Sequence, residues 1–311
     1  MNANTYRMSR RSFVGSLAAA FAAVWLDSPA LSAAEKPLIR KAIPATGETL
    51  PVIGLGTSLT LDVDGDETAL AGLAEVLREF FANGGEVIDS SPMYGSAEQV
   101  IGVLLKRVAH RGKLFAATKV WTDGREAGIR QMETSLRKWG IRRFDLMQIH
   151  NLRDWRTHLK TLKAWKAEGK IRYIGLTTSH GRFHRELEAL MRSEPLDFVQ
   201  FSYNIANRTA EKRLLPLAAE REIAVLVNRP FQRGELFRRT RGAELPGWAA
   251  EFDCTSWGQF FLKYIVSHPV VTCAIPATAK VRHMRDNMAA GFGRLPDPTM
   301  REKMAAYVAS L

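Results

Sequence analysis

Ile223-Ala224-Val225-Leu226-Val227 is an unbroken apolar run that ends at the polar Asn228. An alternating pattern would mark a strand with one wet face. A continuous run marks a strand buried on both faces, as in a parallel sheet covered by helices. Working outward from it, similar short segments recur at 52–55, 86–89, 114–119, 144–149, 173–177, 198–202 and 271–275, which with 224–228 makes eight strand candidates. Between them lie helical patterns over about 67–83, 97–109, 124–138, 155–168, 183–193, 210–221, 255–267 and 280–290, with one more at about 298–310. In the first, Leu70, Leu73, Val76, Leu77 and Phe80 share a face, Asp66 is placed to cap the start, and Gly84-Gly85 to end it.

Eight strand–helix units in one chain fit a closed barrel better than an open doubly wound sheet. The first strand–helix turn, Gly54-Leu55-Gly56, lacks a third glycine at dinucleotide-fold spacing and leads into an acidic loop. The expected fold is therefore an α/β, (β/α)8 TIM barrel in a single domain over residues 35–311. Segments 39–43 and 48–51 flank Pro44-Ala45-Thr46-Gly47, which predicts a β-hairpin closing the barrel bottom.

Residues 1–34 read differently. Ser9-Arg10-Arg11-Ser12-Phe13-Val14 sets an arginine pair before a weakly apolar run to Leu26, followed by Pro29-Ala30-Leu31-Ser32-Ala33-Ala34. This is the layout of a twin-arginine export signal peptide, with cleavage expected after Ala34 and a periplasmic mature protein. The run is too short for a stable transmembrane helix, so no membrane insertion is expected. The twin-arginine route carries folded proteins, which suits an enzyme that acquires its cofactor before export.

The chain has 311 residues and a formal charge of +12. Residues 1–34 carry only Arg7, Arg10 and Arg11 against Asp27, so most of the basicity belongs to the folded part. Lys and Arg are scattered without interleaved aromatics, which argues against a nucleic-acid surface and for attraction of an anionic cofactor or substrate. Cys254 and Cys273 support no disulfide framework and no four-cysteine metal site, and are expected as buried thiols. No metal is expected. Asp62-Val63-Asp64-Gly65-Asp66 has its glycine at the wrong place for a calcium loop, and His180 and His184 lack a third ligand. A monomer is expected.

In such barrels the chemistry sits at the C-terminal ends of the strands. Asp89 ends the second strand, Tyr94 follows in its loop, Lys119 ends the third strand and His150 the fourth. Together they make a proton-transfer device. A tyrosine has a pKa of about 10, and a neighbouring ammonium stabilises its phenolate. Asp89 would pair with Lys119, and His150 would orient a substrate oxygen. Trp121, two residues past Lys119, would form part of the substrate wall.

These segments resemble the aldo-keto reductase superfamily. Val87-Ile88-Asp89-Ser90-Ser91-Pro92-Met93-Tyr94-Gly95-Ser96-Ala97-Glu98 is similar to the family's Asp-to-Tyr signature, and Ala117-Thr118-Lys119 and Gln148-Ile149-His150 are similar to the segments that bear the other two members of its tetrad. Gly169-Lys170-Ile171-Arg172-Tyr173-Ile174-Gly175 extends the likeness, which continues to about Asn287. The resemblance implies reduction of an aldehyde or ketone by NADP(H), with Tyr94 as general acid and a small-molecule carbonyl compound as substrate.

It also implies a cofactor site. Gly56 and Thr57 follow the first strand. Thr177 and Thr178 stand where the family's Ser-Asn pair binds the nicotinamide carboxamide, and Gln200 matches the glutamine that contacts the same group. On the seventh strand Asn228-Arg229-Pro230-Phe231 replaces an aromatic stacking residue followed by Ser-Pro-Leu, and Arg229 would reach the pyrophosphate or an anionic substrate. Thr278, Lys280, Arg282 and His283 match the loop that holds the 2′-phosphate, and Asp286 and Asn287 the positions that contact adenine. The departures at Thr178 and Asn228 support an alternative, a slow-turnover NADP(H)-binding sensor or regulatory subunit. A Schiff-base aldolase using Lys119 would leave the spacing of Asp89 and Tyr94 unexplained.

Overall fold

The computed structural model describes Met1 and residues 36–109 and 112–311. The expected export signal falls on residues outside this set. From Lys36 onward the chain forms one compact unit.

Ten strands form. β1 (Arg40–Ala42) and β2 (Thr49–Pro51) pair antiparallel, with Arg40 opposite Pro51 and Ala42 opposite Thr49. The turn between them is closed by Ile43 N donating to Glu48 O at 2.7 Å, with Gly47 at φ 75. Lys41 ties this hairpin to the segment that leads into the last strand by donating to the carbonyls of Val266, His268 and Val271 at 2.8, 2.6 and 2.8 Å. Burial, and then the charge of Arg301, lower its pKa to about 8.

The remaining strands are β3 (Leu55–Gly56), β4 (Val87–Asp89), β5 (Phe115–Val120), β6 (Phe144–His150), β7 (Ile171–Thr177), β8 (Phe198–Ser202), β9 (Ala224–Asn228) and β10 (Val271–Ala274). They pair parallel in sequence order in one eight-stranded sheet. The sheet curls until its edges meet. Gly54 N donates to Ala274 O at 2.9 Å, Ala274 N to Val52 O at 2.9 Å and Gly56 N to Pro276 O at 3.0 Å, with parallel bridges at Ile53–Ala274 and Gly56–Ala277. The seam requires close backbone approach: a Cβ on Gly56 would lie 2.6 Å from Ile275 O. The interior is filled by Val87, Phe115, Leu146, Tyr173, Phe198 and Leu226 with their neighbours, and Ile43 and Leu50 of the hairpin belong to the same cluster.

The helices are α1 (Glu67–Ala82), α2 (Ala97–Val108), α3 (Arg125–Trp139), α4 (Trp155–Ala167), α5 (His184–Ser193), α6 (Leu214–Glu220), α7 (Glu235–Arg239), α8 (Trp257–Val266), α9 (Val281–Ala289) and α10 (Pro298–Ser310). Asp66 caps α1, accepting from Thr68 N and Ala69 N. The helix expected over 210–221 is split into a 3-10 turn, Thr209–Lys212, and α6. Arg213 leaves helical geometry at φ −142, and Pro216 has no N–H to bond backward across the break. The stretch after β9 contains a 3-10 turn at Gln232–Gly234, α7, and a second 3-10 turn at Gly247–Phe252. No described helix is long and apolar enough to cross a membrane. Cys254 and Cys273 are both free and buried.

Candidate active site

The strand ends of β4, β5 and β6 bring Asp89, Lys119 and His150 together, and the loop after β4 returns Tyr94 to them. A parallel register makes this possible, because Asp89 pairs with Ala117 and Lys119 with Gln148 on successive strands. Lys119 Nζ donates to Asp89 Oδ2 at 2.6 Å and to Ser90 O at 2.7 Å. Its nitrogen lies 5.2 Å from the centroid of the Tyr94 ring. Burial alone would lower the lysine's pKa, but the Asp89 charge and the hydrogen bond to it outweigh that effect and raise it, so the fully buried lysine keeps its charge.

Tyr94 departs from the expectation that its lysine neighbour would make it more acidic. Burial raises its pKa, and Lys119 opposes the rise without reversing it. The phenol therefore keeps its proton throughout the neutral range. The rings of Tyr94 and His150 meet edge to face with centroids 5.8 Å apart. His150 Nδ1 lies 2.9 Å from Ser91 Oγ. Burial, and then the Lys119 charge, hold its pKa down to about 3, so the imidazole is neutral.

Sequence reasoning missed Gln148 as a functional residue. Its Nε2 donates to Asp89 Oδ1 at 2.8 Å, and Gln200 Nε2 donates to the same oxygen and to Gln148 Oε1, both at 3.0 Å. The signal was the inward register of Gln148, two residues before His150 on the same strand. A buried carboxylate needs several donors, and these two amides supply them. This turns the Gln200 amide nitrogen into the barrel rather than toward a carboxamide in the cleft. Its Oε1 accepts from Asn228 Nδ2 at 3.3 Å. Asn228 also donates to Thr178 O at 2.9 Å and accepts from Ser202 Oγ at 2.7 Å, so it extends the network instead of offering a stacking face.

An open cleft of about 550 Å³ lies over these residues, lined by Gly56, Thr57, Tyr94, His150, Thr177, Thr178, Gln200, Asn228, Arg229 and Pro230 among others. Thr57 Oγ1 donates to Asp89 O and shares a 2.9 Å hydroxyl–hydroxyl contact with Ser90 Oγ, and Thr177 Oγ1 accepts from Asn151 N. Thr178 Oγ1 is buried and has no partner. A hydroxyl left unpaired beside a large cleft fits a site that binds a polar group there. Arg229 donates to His180 Nε2 from a backbone with φ 53.

Two expected contacts are placed otherwise. Trp121 is not among the residues lining the cleft. It stands behind His150, with ring centroids 6.4 Å apart, and Arg153, paired with Asp123, covers its face at 5.1 Å. Asp286 accepts from Ser256 Oγ and Gln259 Nε2, anchoring the start of α8, so both its oxygens are committed to the fold. Thr278, Lys280, Arg282 and His283 cluster at the start of α9, with Thr278 Oγ1 accepting from Lys280 N at 3.1 Å, and Asn287 is buried within that helix. Asp62 accepts from Ser96 N and Oγ, and Asp66 caps α1, which accounts for two aspartates of the acidic loop.

Known proteins share this architecture. Methylglyoxal reductase YeaE of Escherichia coli (strain K12) is 29% identical over 259 residues, covering 80% of this chain and 89% of that protein. The uncharacterized oxidoreductase YtbE of Bacillus subtilis (strain 168) is 26% identical over 259 residues, covering 79% and 85%. The crystal structure of an aldo-keto reductase from Klebsiella pneumoniae in complex with NADPH superposes with a TM-score of 0.72 at 24% identity, covering 88% of this chain and 95% of that one. With the model of the aldo/keto reductase family matching residues 52–306, four fifths of the sequence, the chain belongs to that family of oxidoreductases.

Proposed function

We propose that the protein is an NADP(H)-dependent reductase of aldehydes or ketones in which Tyr94 is the general acid. One observation carries this reading: the Tyr94 phenol lines a cleft with the His150 ring 5.8 Å away and the ammonium of the buried Asp89–Lys119 pair 5.2 Å from its own ring. The family supports the chemistry, as does the NADPH bound by a structural neighbour.

The residues fit such a cofactor. Thr177 and Thr178 border the place for a carboxamide, Arg229 and Pro230 that for a pyrophosphate, and Thr278, Lys280, Arg282 and His283 that for a 2′-phosphate at a helix start. When bound, NADPH supplies hydride to the carbonyl carbon. Tyr94 gives its proton to the carbonyl oxygen, and Lys119 stabilises the phenolate that remains. Asp89 holds the ammonium in place, itself fixed by Gln148 and Gln200. Ser91 Oγ accepts from Met93 N, so its proton is free to go to His150 Nδ1, leaving Nε2–H to bond the substrate oxygen. Replacement of Tyr94 by Phe tests the assignment: NADPH binding should persist, followed by fluorescence quenching, while turnover of a panel of aldehydes should fall by about 10²-fold or more. Retained turnover would overturn it. Tight NADPH binding with no turnover by the unaltered protein would favour the sensor alternative.

We further infer export by the twin-arginine pathway to the periplasm, from Arg10-Arg11 and the small residues around Ala34. Intact-mass analysis of the periplasmic protein should place its N-terminus at Glu35. An Arg10→Lys, Arg11→Lys chain should stay in the cytoplasm.

A further inference from the structure

Among the described residues, the exposed large apolar side chains away from the chain ends are Leu59, Met93, Phe183 and Phe237. All four sit on one rim: Leu59, Met93 and Phe237 line the active-site cleft, and Phe183 lines a pocket of about 300 Å³ beside it, which Met93 shares. Scattered exposed apolar residues need no explanation, but their confinement to one opening does.

The same rim is cationic. Arg182 and Arg233 line the side pocket together with His180, and Arg229 bonds His180 from the cleft side. Neither Arg182 nor Arg233 pairs with a carboxylate among the described residues. The only acids lining either cavity are Asp62 and Asp89, and both are engaged elsewhere. Like charges gathered without a counterion disfavour one another, and His180 records it: burial and then Arg229, Arg233 and Arg182 lower its pKa.

The backbone is also strained here. Leu59 (φ 66), His180 (φ 62), Phe183 (φ 57) and Arg233 (φ 55) are all left-handed, a region that disfavours bulky side chains. Such outliers cluster where function holds them. The side pocket contains none of the positions assigned above to the cofactor, yet it opens into the cleft through Met93, Asn151, Ser179, His180 and Arg233.

Building on the reductase reading, we propose that the substrate is an anionic carbonyl compound with an apolar body. Its carbonyl meets Tyr94, its body lies against Leu59, Met93 and Phe183, and its anionic group is held by Arg182 and Arg233. The planar guanidinium forks suit a carboxylate or a phosphate.

The test compares NADPH oxidation with 2-, 3- and 4-formylbenzoate against their methyl esters, using the purified enzyme and an Arg182→Gln, Arg233→Gln double variant. We expect kcat/KM for at least one acid to exceed that for its ester about tenfold or more, with the advantage shrinking as salt is added. In the double variant the acid-to-ester ratio should fall to near one, with NADPH affinity, read by fluorescence quenching, preserved. Esters turned over as well as acids, or a double variant that loses NADPH affinity while keeping its preference, would overturn the inference and leave the reductase reading intact. Failure to oxidise NADPH with any acid or ester, or with simple aldehydes, would overturn both.

Discussion

Lys119 and Asp89 form a 2.6 Å ion pair in which the lysine side chain has no exposed surface and the aspartate 3%. Taking two charges out of water is costly, and the cost is met only while each faces the other and further donors complete the carboxylate. Asp89→Asn leaves the ammonium buried and unpaired, so it should destabilise the fold by about 3–5 kcal/mol as well as reduce turnover. Combining Lys119→Met with Asp89→Leu removes both charges and should recover much of the stability but none of the activity. Urea unfolding of the three chains checks this. A single variant as stable as the double would refute the pairing energy.

His150 ties stability to pH. Its pKa in the fold is held near 3 by burial and then by Lys119, below the 6.5 of a free imidazole. Between these values the unfolded chain binds a proton that the fold excludes, so stability is full above about pH 6.5 and is lost as pH falls toward 3. By pH 5 the loss should be on the order of 2 kcal/mol from this residue. His150→Asn should flatten that part of the profile in urea titrations at pH 7, 6 and 5. An unchanged slope would show that His150 protonates without penalty.

The barrel was legible because its strands are continuous apolar runs. The ranges expected for β8 and β9 match the structure residue for residue, and most of the other strands and helices shift by only one or two residues. The split helix over 210–221 and the first strand are the exceptions. Residues 52–54 serve the seam with β10, and only Leu55–Gly56 pairs with β4, because the edge contacts of a closing sheet leave no periodic pattern. Asp89, Tyr94, Lys119 and His150 could be found from their places at strand ends. Gln148, Gln200 and Asn228 could not be joined from sequence, since a network linking three strands depends on register and side-chain direction. The rise in the Tyr94 pKa was hidden for a related reason: the ammonium is visible in the sequence, the extent of burial is not.

Gly102 separates stability from chemistry. A Cβ there would lie 1.9 Å from Lys138 O, so α2 and α3 touch through backbone and must part to admit a methyl group. Gly102→Ala should cost about 1–3 kcal/mol or more, as overpacking does. The folded fraction should keep its aldehyde turnover, since Gly102 lies on the outer layer. Thermal unfolding and activity per active site, titrated with NADPH, measure the two effects. Lost turnover in fully folded protein would mean that the outer helices transmit to the strand ends.

Thr178 offers the sharpest test of the cofactor pocket. Its Oγ1 is buried and has no partner, and the residue lines the cleft, so the free protein carries an unsatisfied hydroxyl. Such a group costs roughly 1–3 kcal/mol of desolvation. Thr178→Val keeps the shape and removes the hydroxyl, and should therefore raise the stability of the free protein by on the order of 1 kcal/mol. If the hydroxyl waits for the carboxamide, the same change should weaken NADPH binding about 3- to 10-fold, the worth of one ordinary hydrogen bond. The two effects have opposite signs, which a merely structural residue would not produce. Calorimetry of NADPH binding beside thermal unfolding of the free protein reads both. A stabilised variant with unchanged affinity would remove Thr178 from the cofactor site.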